Sequence, residues 1–309
     1  MTKRLVVIDG KSIFYRGYYA MPNLSTKEGV PTGGVYGFVA LSLEIISKLN
    51  PDYIAVAWDK KDTSIRRRLK IYSEYKAGRK KAPDDFYEQI PILHELLEAF
   101  NWPLYELDDY EADDIMGTLA RLAKEQGIET CLISSDLDML QLVNDMTTVY
   151  AIKSGSKIEA FDISYFEDKY GLKTSQFLDL KSLMGDSSDN IPGVPGVGKK
   201  TAVALLSAYG TLDEVFNNLY QIKPAIRKKL EAGKDLAYMS KELADIWTNA
   251  PISLDLKHLN ARNLDKVKLL NKLRELEFNS LIRRLSSDSF SKMQLEEDKV
   301  ISLKEVPLD

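Results

Sequence analysis

The stretch RLVVIDG at residues 4–10 is a short apolar run that stops at an acid and a glycine. Two later stretches, 53–58 and 130–133, are built in a similar way. Continuous apolarity, rather than alternation, is typical of strands buried on both faces of a parallel sheet. Three segments between these stretches have apolar residues at helical spacing: 36–49, 85–100 and 111–126. The alternation of strand and helix predicts a doubly wound α/β fold.

The second half of the chain changes character after about Gly171. Segments 201–209, 212–219 and 234–247 have helical patterns separated by short turns, which predicts a small helical subdomain. Beyond Ser286 the sequence becomes rich in serine and then acidic, as a linker or tail would be.

Composition restricts the classes of protein that fit. The chain has 309 residues, of which 44% are hydrophobic, and Cys131 is its only cysteine. Disorder along the whole chain and a disulfide scaffold are therefore excluded. The apolar run at the N-terminus is too short for a signal peptide and no later run could span a membrane, so we expect a cytoplasmic protein. The net charge of −4 argues mildly against a nucleic-acid partner.

The charges are unevenly distributed along the chain. Residues 63–82, called the basic segment below, hold eight bases and one acid, whereas residues 106–114 hold six acids and no base. An acidic site beside a basic surface is costly unless metal ions and phosphates lie between them.

Three of the apolar stretches lead into aspartates: Asp9, Asp59 and Asp136. One such aspartate is often only a helix cap. Three on neighbouring parallel strands would instead gather carboxylates at the edge where such sheets bind ligands. Further acids follow in EADD at 111–114, DLD at 136–138 and GDSSDN at 185–190.

Together these motifs predict one site with oxygen ligands, which favours Mg²⁺ or Mn²⁺ over zinc. The candidate metal ligands are Asp9, Asp59, Glu111, Asp113, Asp114, Asp136, Asp138, Asp186 and Asp189.

Two further segments have features of phosphate binding. If the basic segment is helical around YKAGR, Lys76 and Arg79 lie one turn apart, and the lack of interleaved acids favours nucleic-acid contact over a solvated face. The stretch GVPGVGKKTA at 193–202 is not a Walker A loop, because Lys200 stands where that motif needs Ser or Thr. A glycine-rich turn that enters a helix can still present backbone N–H groups to a DNA phosphate.

The motifs, taken together, are specific to one family. They are VVIDG at 6–10, VYGF at 35–38, AWD at 57–59, YKAGR at 75–79, YEADD at 110–114, SSDLDMLQL at 134–142, GDSSDNIPGVPGVGKKTA at 185–202 and LEFNSL at 276–281. Over roughly residues 3–285 the chain resembles the 5′-nuclease domain of bacterial DNA polymerase I and its stand-alone relatives in the flap endonuclease superfamily.

The resemblance implies a structure-selective 5′ nuclease, with 5′-3′ exonuclease and flap endonuclease activity on DNA flaps and RNA primers in replication and repair. It implies an α/β, parallel-sheet PIN-like core over 1–172 with a helical arch at about 62–83. An all-α subdomain over 173–285 would follow, with a helix–three-turn–helix element at about 186–210 that grips duplex DNA. Residues 286–309 would be a linker or tail.

The resemblance also implies roles for individual residues. Two divalent ions would lie among the nine acids. We expect the first ion nearest Asp9, Asp59, Glu111, Asp113, Asp136 and Asp138, and the second ion or its waters at Asp114, Asp186 and Asp189. Lys76 and Arg79 would be catalytic, above the scissile phosphate, and a K⁺ ion would be a secondary feature of the helix–three-turn–helix element. The residues expected to contact DNA are Tyr15, Arg66, Tyr75, Lys76, Arg79, Gly193, Gly196, Gly198, Lys199, Lys200 and Thr201.

Some alternatives stay open at this point. Tyr15 is as compatible with apolar packing as with stacking near the scissile nucleotide. A non-catalytic, structure-specific DNA-binding module would keep the basic segment but would not need the acids. An RNA-directed nuclease of the PIN type would keep the acids but lack the glycine-rich turn. We expect a monomer that is either free-standing or linked to a DNA polymerase I.

Overall fold

The computed structural model describes residues 2–152 and 158–286. The predicted linker or tail therefore lies outside the described residues. The strands are β1 (Arg4–Asp9), β2 (Tyr53–Ala57), β3 (Leu104–Tyr105), β4 (Glu129–Ile133), β5 (Thr147–Ile152) and β6 (Ile158–Phe161). The helices are α1 (Gly10–Ala20), α2 (Gly33–Leu49), α3 (Arg66–Ile71), α4 (Asp84–Phe100), α5 (Ala112–Glu125), α6 (Ile163–Tyr170), α7 (Phe177–Met184), α8 (Lys199–Tyr209), α9 (Leu212–Asn217), α10 (Pro224–Ala244), α11 (Lys266–Glu275) and α12 (Asn279–Ser286).

The six strands form one sheet in the order β3-β2-β1-β4-β5-β6. All neighbouring pairs are parallel except β5 and β6, which are antiparallel. The predicted α/β fold with a parallel sheet is confirmed. The antiparallel edge strand β6 was not predicted.

Alternate residues of β1 enter two different cores. Leu5 and Val7 pack on one face of the sheet with α5, and Val6 and Ile8 pack on the other face with α1, α2 and α4. Burial on both faces explains why the strands read as continuous apolar runs.

The second half of the chain is helical, as predicted, but its last part returns to the α/β unit. Leu269 and Leu273 of α11 share a core with α2 and α4. Lys272 extends this contact through an ion pair with Glu95 of α4. No helix within the described residues is both long and apolar enough to cross a membrane.

The basic segment is less helical than the sequence predicted. Only α3 is helical within it, and residues 73–78 form turns in which Lys76 has a φ of 58°. The prediction that Lys76 and Arg79 lie one helical turn apart is therefore wrong. Contacts of Tyr75 and Lys76 with Glu111 hold this part of the segment in its turn conformation.

Candidate active site

The ends of three adjacent strands supply the first acids of the site. Asp9 ends β1 and accepts hydrogen bonds from the Ser12 N–H at 3.0 Å and from Ser134 Oγ at 2.6 Å. The backbone N–H of Asp136 in turn donates to Ser134 Oγ at 3.0 Å. Because β2, β1 and β4 are neighbours in a parallel sheet, Asp59, Asp9 and Asp136 meet at one edge, as predicted.

The first turn of α5 adds two acids to this edge. Asp59 accepts the Ala112 N–H at 2.9 Å, which ties the end of β2 to the start of α5. Glu111, which is 3% exposed, precedes the helix, and Asp113 lies half-buried in its first turn.

Like charges crowd the centre of the site. Burial raises the pKa of Asp9 to about 6 and repulsion from Asp59 and Asp136 adds to the rise, although hydrogen bonds to Asp9 oppose it. Burial also raises the pKa of Asp113 well above its usual value, and Asp136 and Asp9 add to that effect. The centre of the site therefore favours a cation.

Asp138 and Asp186 extend the site and share a lysine that the sequence analysis missed. The Nζ of Lys181, on α7, forms ion pairs with both carboxylates. Burial works against the charge of Lys181, but these two acids outweigh it and raise its pKa. The available signal was a lysine within the apolar helical pattern of residues 177–184.

The basic segment closes over the same site. Tyr75 Oη donates to Glu111 Oε1 at 3.0 Å, and Lys76 Nζ donates to the same carboxylate at 2.9 Å. Arg79 forms an ion pair with Asp189. Burial alone would lower the pKa of Lys76, but Glu111, Tyr75 and Asp189 together outweigh it and raise the pKa well above its usual value.

The acidic site thus consists of eight carboxylates with basic side chains between them. Its members are Asp9, Asp59, Glu111, Asp113, Asp136, Asp138, Asp186 and Asp189. Within residues 2–152 and 158–286, no group of three or more acidic, histidine or cysteine side chains is arranged so that it could hold a metal ion. The bases Lys76, Arg79 and Lys181 lie between several of the carboxylates instead.

Asp114 is the one candidate ligand that the structure sets apart. It is fully buried and accepts two hydrogen bonds from Arg68, at 2.7 and 2.8 Å. Its oxygens also accept the N–H groups of Glu111 and Trp247 at 2.9 and 2.8 Å. These four donors occupy both oxygens, so the prediction of Asp114 as a metal ligand is wrong.

Two of the residues expected to contact DNA differ in their surroundings. Tyr15 on α1 is 44% exposed, with its ring 4.7 Å from that of Tyr19 and 5.4 Å from that of Phe86. It therefore combines partial packing with an open face. Arg66 is exposed and donates to Asp109, which is not a member of the acidic site, at 3.0 Å.

The glycine turn (residues 193–198) joins the acidic site to α8. Gly193 has a φ of 61°, and a Cβ there would lie 2.2 Å from the backbone nitrogen of Gly185, so only glycine fits. Gly196 also has a positive φ, of 78°. Gly198 caps α8 with no side-chain hydrogen bond, and Lys199 and Lys200 at the start of the helix are exposed while Thr201 is half-buried.

Two family models match the chain. One, described as the 5′-3′ exonuclease N-terminal resolvase-like domain, matches residues 4–171. The other, described as the 5′-3′ exonuclease C-terminal SAM fold, matches residues 172–267.

Similar curated proteins include two bacterial DNA polymerases. DNA polymerase I of Caldicellulosiruptor bescii is 43% identical over 285 residues, which are 91% of this chain and 33% of the polymerase. DNA polymerase I of Bacillus subtilis is 40% identical over 306 residues, which are 98% of this chain and 34% of the polymerase. The chain spans about a third of the length of these relatives.

Solved structures share the fold at lower identity. The flap endonuclease of bacteriophage T5, solved with DNA and metal ions, is 20% identical with a TM-score of 0.68, over 89% of this chain and 98% of that protein. The catalytic core of Rad2 with DNA substrate is 18% identical with a TM-score of 0.58, over 89% of this chain and 87% of that one. At these identities, both matches show only that the fold is shared. The family models and the polymerase relatives confirm the resemblance seen in the sequence motifs, and the chain belongs to the 5′-3′ exonuclease family.

Proposed function

We propose that this chain is a divalent-metal-dependent, structure-specific 5′ nuclease that hydrolyses phosphodiester bonds in DNA flaps and RNA primers during replication and repair. The observation that carries the proposal is the meeting of Asp9, Asp59 and Asp136 at one sheet edge with Glu111 and Asp113. So many acids in one place would not stabilise the fold by themselves, but their oxygens suit a metal site.

The donor set fits hard divalent cations. All eight side chains offer carboxylate oxygens, which Mg²⁺ and Mn²⁺ prefer. Burial and, after it, repulsion between the acids raise the pKa of Asp9 and of Asp113, and a cation would relieve that repulsion. Divalent ions bound there would supply an activated water and stabilise the leaving oxygen. We propose Mg²⁺ or Mn²⁺, two per site, and a secondary K⁺ ion near the glycine turn.

The chain's own bases and backbone would bind the substrate. Lys76 and Arg79 lie at the acidic site and would neutralise charge on the phosphate that is cleaved. Lys199 and Lys200, with the start of α8, would bind the phosphates of the downstream duplex. The open face of Tyr15 would stack on a base near the cleaved bond.

The two rival functions are less well supported. A DNA-binding module without catalysis would gain nothing from the repulsion at Asp9 and Asp113. An RNA-directed nuclease would have no need for the exposed lysines beside the glycine turn.

The biological setting is also part of the proposal. Because the matched relatives are about three times longer, activity within a DNA polymerase I, covalently linked or as a separate partner, is proposed by analogy. The same holds for a cytoplasmic location, a monomeric state and the division into a nuclease core over 1–172 and a duplex-binding unit over 173–285, of which α11 packs back on the core.

A labelled 5′-flap duplex tests the function. The wild-type chain should release the flap with Mg²⁺ and not with EDTA. Asp113→Asn should cut the single-turnover rate by about 10³-fold or more while flap binding survives, because it removes a carboxylate at the centre of the site.

Asp168→Asn, the same change at an exposed aspartate of α6, is the matched control and should cleave normally. Flap binding by the wild type without cleavage in Mg²⁺ or Mn²⁺ would favour the binding module, and cleavage of RNA alone would favour the RNA-directed nuclease. Full activity of Asp113→Asn would remove that residue from the site.

A further inference from the structure

Arg68 is the buried member of the three consecutive arginines in α3. It is 3% exposed, and its guanidinium donates to both oxygens of Asp114. The same group donates to the carbonyls of Leu243 at 3.1 Å and Asp245 at 2.7 Å. The guanidinium carbon of Arg68 lies over the Trp247 ring, 4.0 Å from the ring centroid. Only a planar group with several donors satisfies all these partners, so lysine could not replace it.

Asp114 carries this contact to the acidic site. The carboxylate that Arg68 binds also accepts the backbone N–H of Glu111 at 2.9 Å, as part of a capping box at the start of α5. That turn positions Glu111 and Asp113. The orientation of these two acids therefore depends on where Arg68 holds Asp114.

A second side chain, close to the acidic site, also contacts the end of α10. Gln141, three residues after Asp138, donates to the carbonyl of Ala244 at 3.0 Å and accepts the N–H of Ile246 at 3.1 Å. The end of α10 thus contacts the basic segment, α5 and the turn that follows Asp136.

Residues 229–240 of α10 hold the glycine turn. Ser240 Oγ accepts the N–H of Gly193 at 2.9 Å, and Lys229 Nζ donates to the carbonyl of Gly196 at 2.9 Å. Gly233 allows close approach, since a Cβ there would lie 2.9 Å from the side chain of Val194. Ser240 stands three residues before Leu243, whose carbonyl accepts a hydrogen bond from Arg68, so the end of α10 joins the glycine turn to Arg68.

We propose that Arg68 is a positioning residue that connects the duplex-binding glycine turn, through α10, to Glu111 and Asp113. The inference rests on the proposed function for the role of the turn. Arg68 is buried, binds Asp114 and also lies 3.7 Å from Glu111 Oε1, so it acts on the two acids rather than on the substrate. A misplacement of about 1 Å in catalytic groups costs about 100-fold in rate, so loss of this anchor should affect catalysis more than binding.

The test compares Arg68→Lys with Arg67→Lys. Arg67 is the neighbouring exposed arginine, lies 4.1 Å from the same Trp247 ring and contacts Tyr110 rather than Asp114. Arg68→Lys should lower the single-turnover rate at saturating flap DNA by about 10- to 100-fold, with the Kd for flap DNA changed less than about threefold. Arg67→Lys should leave both within about twofold. Equal rates in the two variants would overturn the proposal.

Hydrogen exchange without DNA gives a readout that does not depend on activity. Arg68→Lys should speed exchange of the amides of Glu111 and Trp247, whose acceptor is Asp114, and Arg67→Lys should not. Unchanged exchange in Arg68→Lys would overturn the proposal, whereas a wild-type chain that fails to cleave flaps would overturn only the proposed function. If Arg68→Lys does not fold, Asp114→Asn carries the same expectations.

A double-mutant cycle tests the connection through α10. Ser240→Ala removes the hydrogen bond to Gly193 at the glycine turn. If α10 transmits the position of that turn, the rate effects of Ser240→Ala and Arg68→Lys should deviate from a simple product by about fivefold. A product of the two separate effects would show that the two ends act independently.

Discussion

At the scale of single residues, neutralisation of charge is uneven across the acidic site. Glu111 has Lys76, Asp189 has Arg79, and Asp138 and Asp186 share Lys181. At Asp9 and Asp113, by contrast, carboxylates dominate the electrostatic surroundings. The side of the site next to β1 and α5 is therefore where a divalent cation would be bound most strongly.

Lys76 and Lys199 should have separable effects on the reaction. Lys76 lies at the acidic site, so Lys76→Ala should slow the single-turnover rate by about 100-fold while changing duplex Kd less than about threefold. Lys199 is exposed at the start of α8, so Lys199→Ala should weaken duplex binding by about fivefold and leave the rate at saturating DNA unchanged. Rapid-quench kinetics and fluorescence anisotropy measure the two quantities.

Lys80→Ala is the control for Lys76→Ala, since Lys80 is an exposed lysine of the same basic segment. An identical rate loss in both variants would mean that the segment acts through its overall charge. The reverse order of effects for Lys76 and Lys199 would contradict the roles proposed for them.

The sequence predicted that the acids of the site gather at one edge of the sheet, because strand ends and a helix start mark several of them locally. Their role as metal ligands stays a prediction. The role of Asp114 was not predictable, because its partner Arg68 is 46 residues away in the sequence. Lys181 was missed for a related reason. A lysine in an apolar helix gives no sign of the two acids it will meet until Asp138 and Asp186 are placed by the fold.

At the scale of elements, the glycine turn is fixed by its backbone rather than by its side chains. Gly193→Ala should lower the free energy of unfolding by about 3 kcal/mol or more, because a positive φ and a backbone clash with Gly185 combine. It should also weaken duplex binding. Urea unfolding and anisotropy check the two effects.

Gly127→Ala separates the two causes. Gly127 has a similar φ of 68°, and no atom lies within 4 Å of the place that a Cβ would occupy. Its substitution should therefore cost only about 1 kcal/mol and leave duplex binding intact. Equal losses of stability at both positions would show that the contact with Gly185 contributes nothing.

Predictions of elements succeeded where apolar spacing was regular and failed where tertiary contacts decide. The sequence predicted β1, β2, β4, α2, α4 and α5 to within a few residues. It placed the last long helix at 234–247, whereas α10 begins at Pro224 and ends at Ala244. The helical interpretation of residues 75–79 was wrong because Tyr75 and Lys76 turn towards Glu111, a contact that local spacing cannot reveal.

At the scale of the whole molecule, the net charge averages two regions of opposite sign. Without the nine acids first assigned to metal binding, 42 bases face 37 acids. The exposed lysines at the start of α8 lie in a different part of the chain from the acidic strand ends. The formal charge of −4 is therefore no argument against DNA binding, contrary to the first interpretation of the composition.

Salt dependence distinguishes local from overall charge. In EDTA, the affinity for a DNA duplex should fall linearly with salt on a double-logarithmic plot, because bound phosphates release counterions. Replacing both Lys199 and Lys200 by alanine should reduce the slope by about 2.

The control replaces Lys48 and Lys124, which form ion pairs with Glu44 and Asp145. It changes the net charge by the same amount and should leave the slope unchanged. If both double variants lowered the slope equally, overall charge rather than the start of α8 would govern binding.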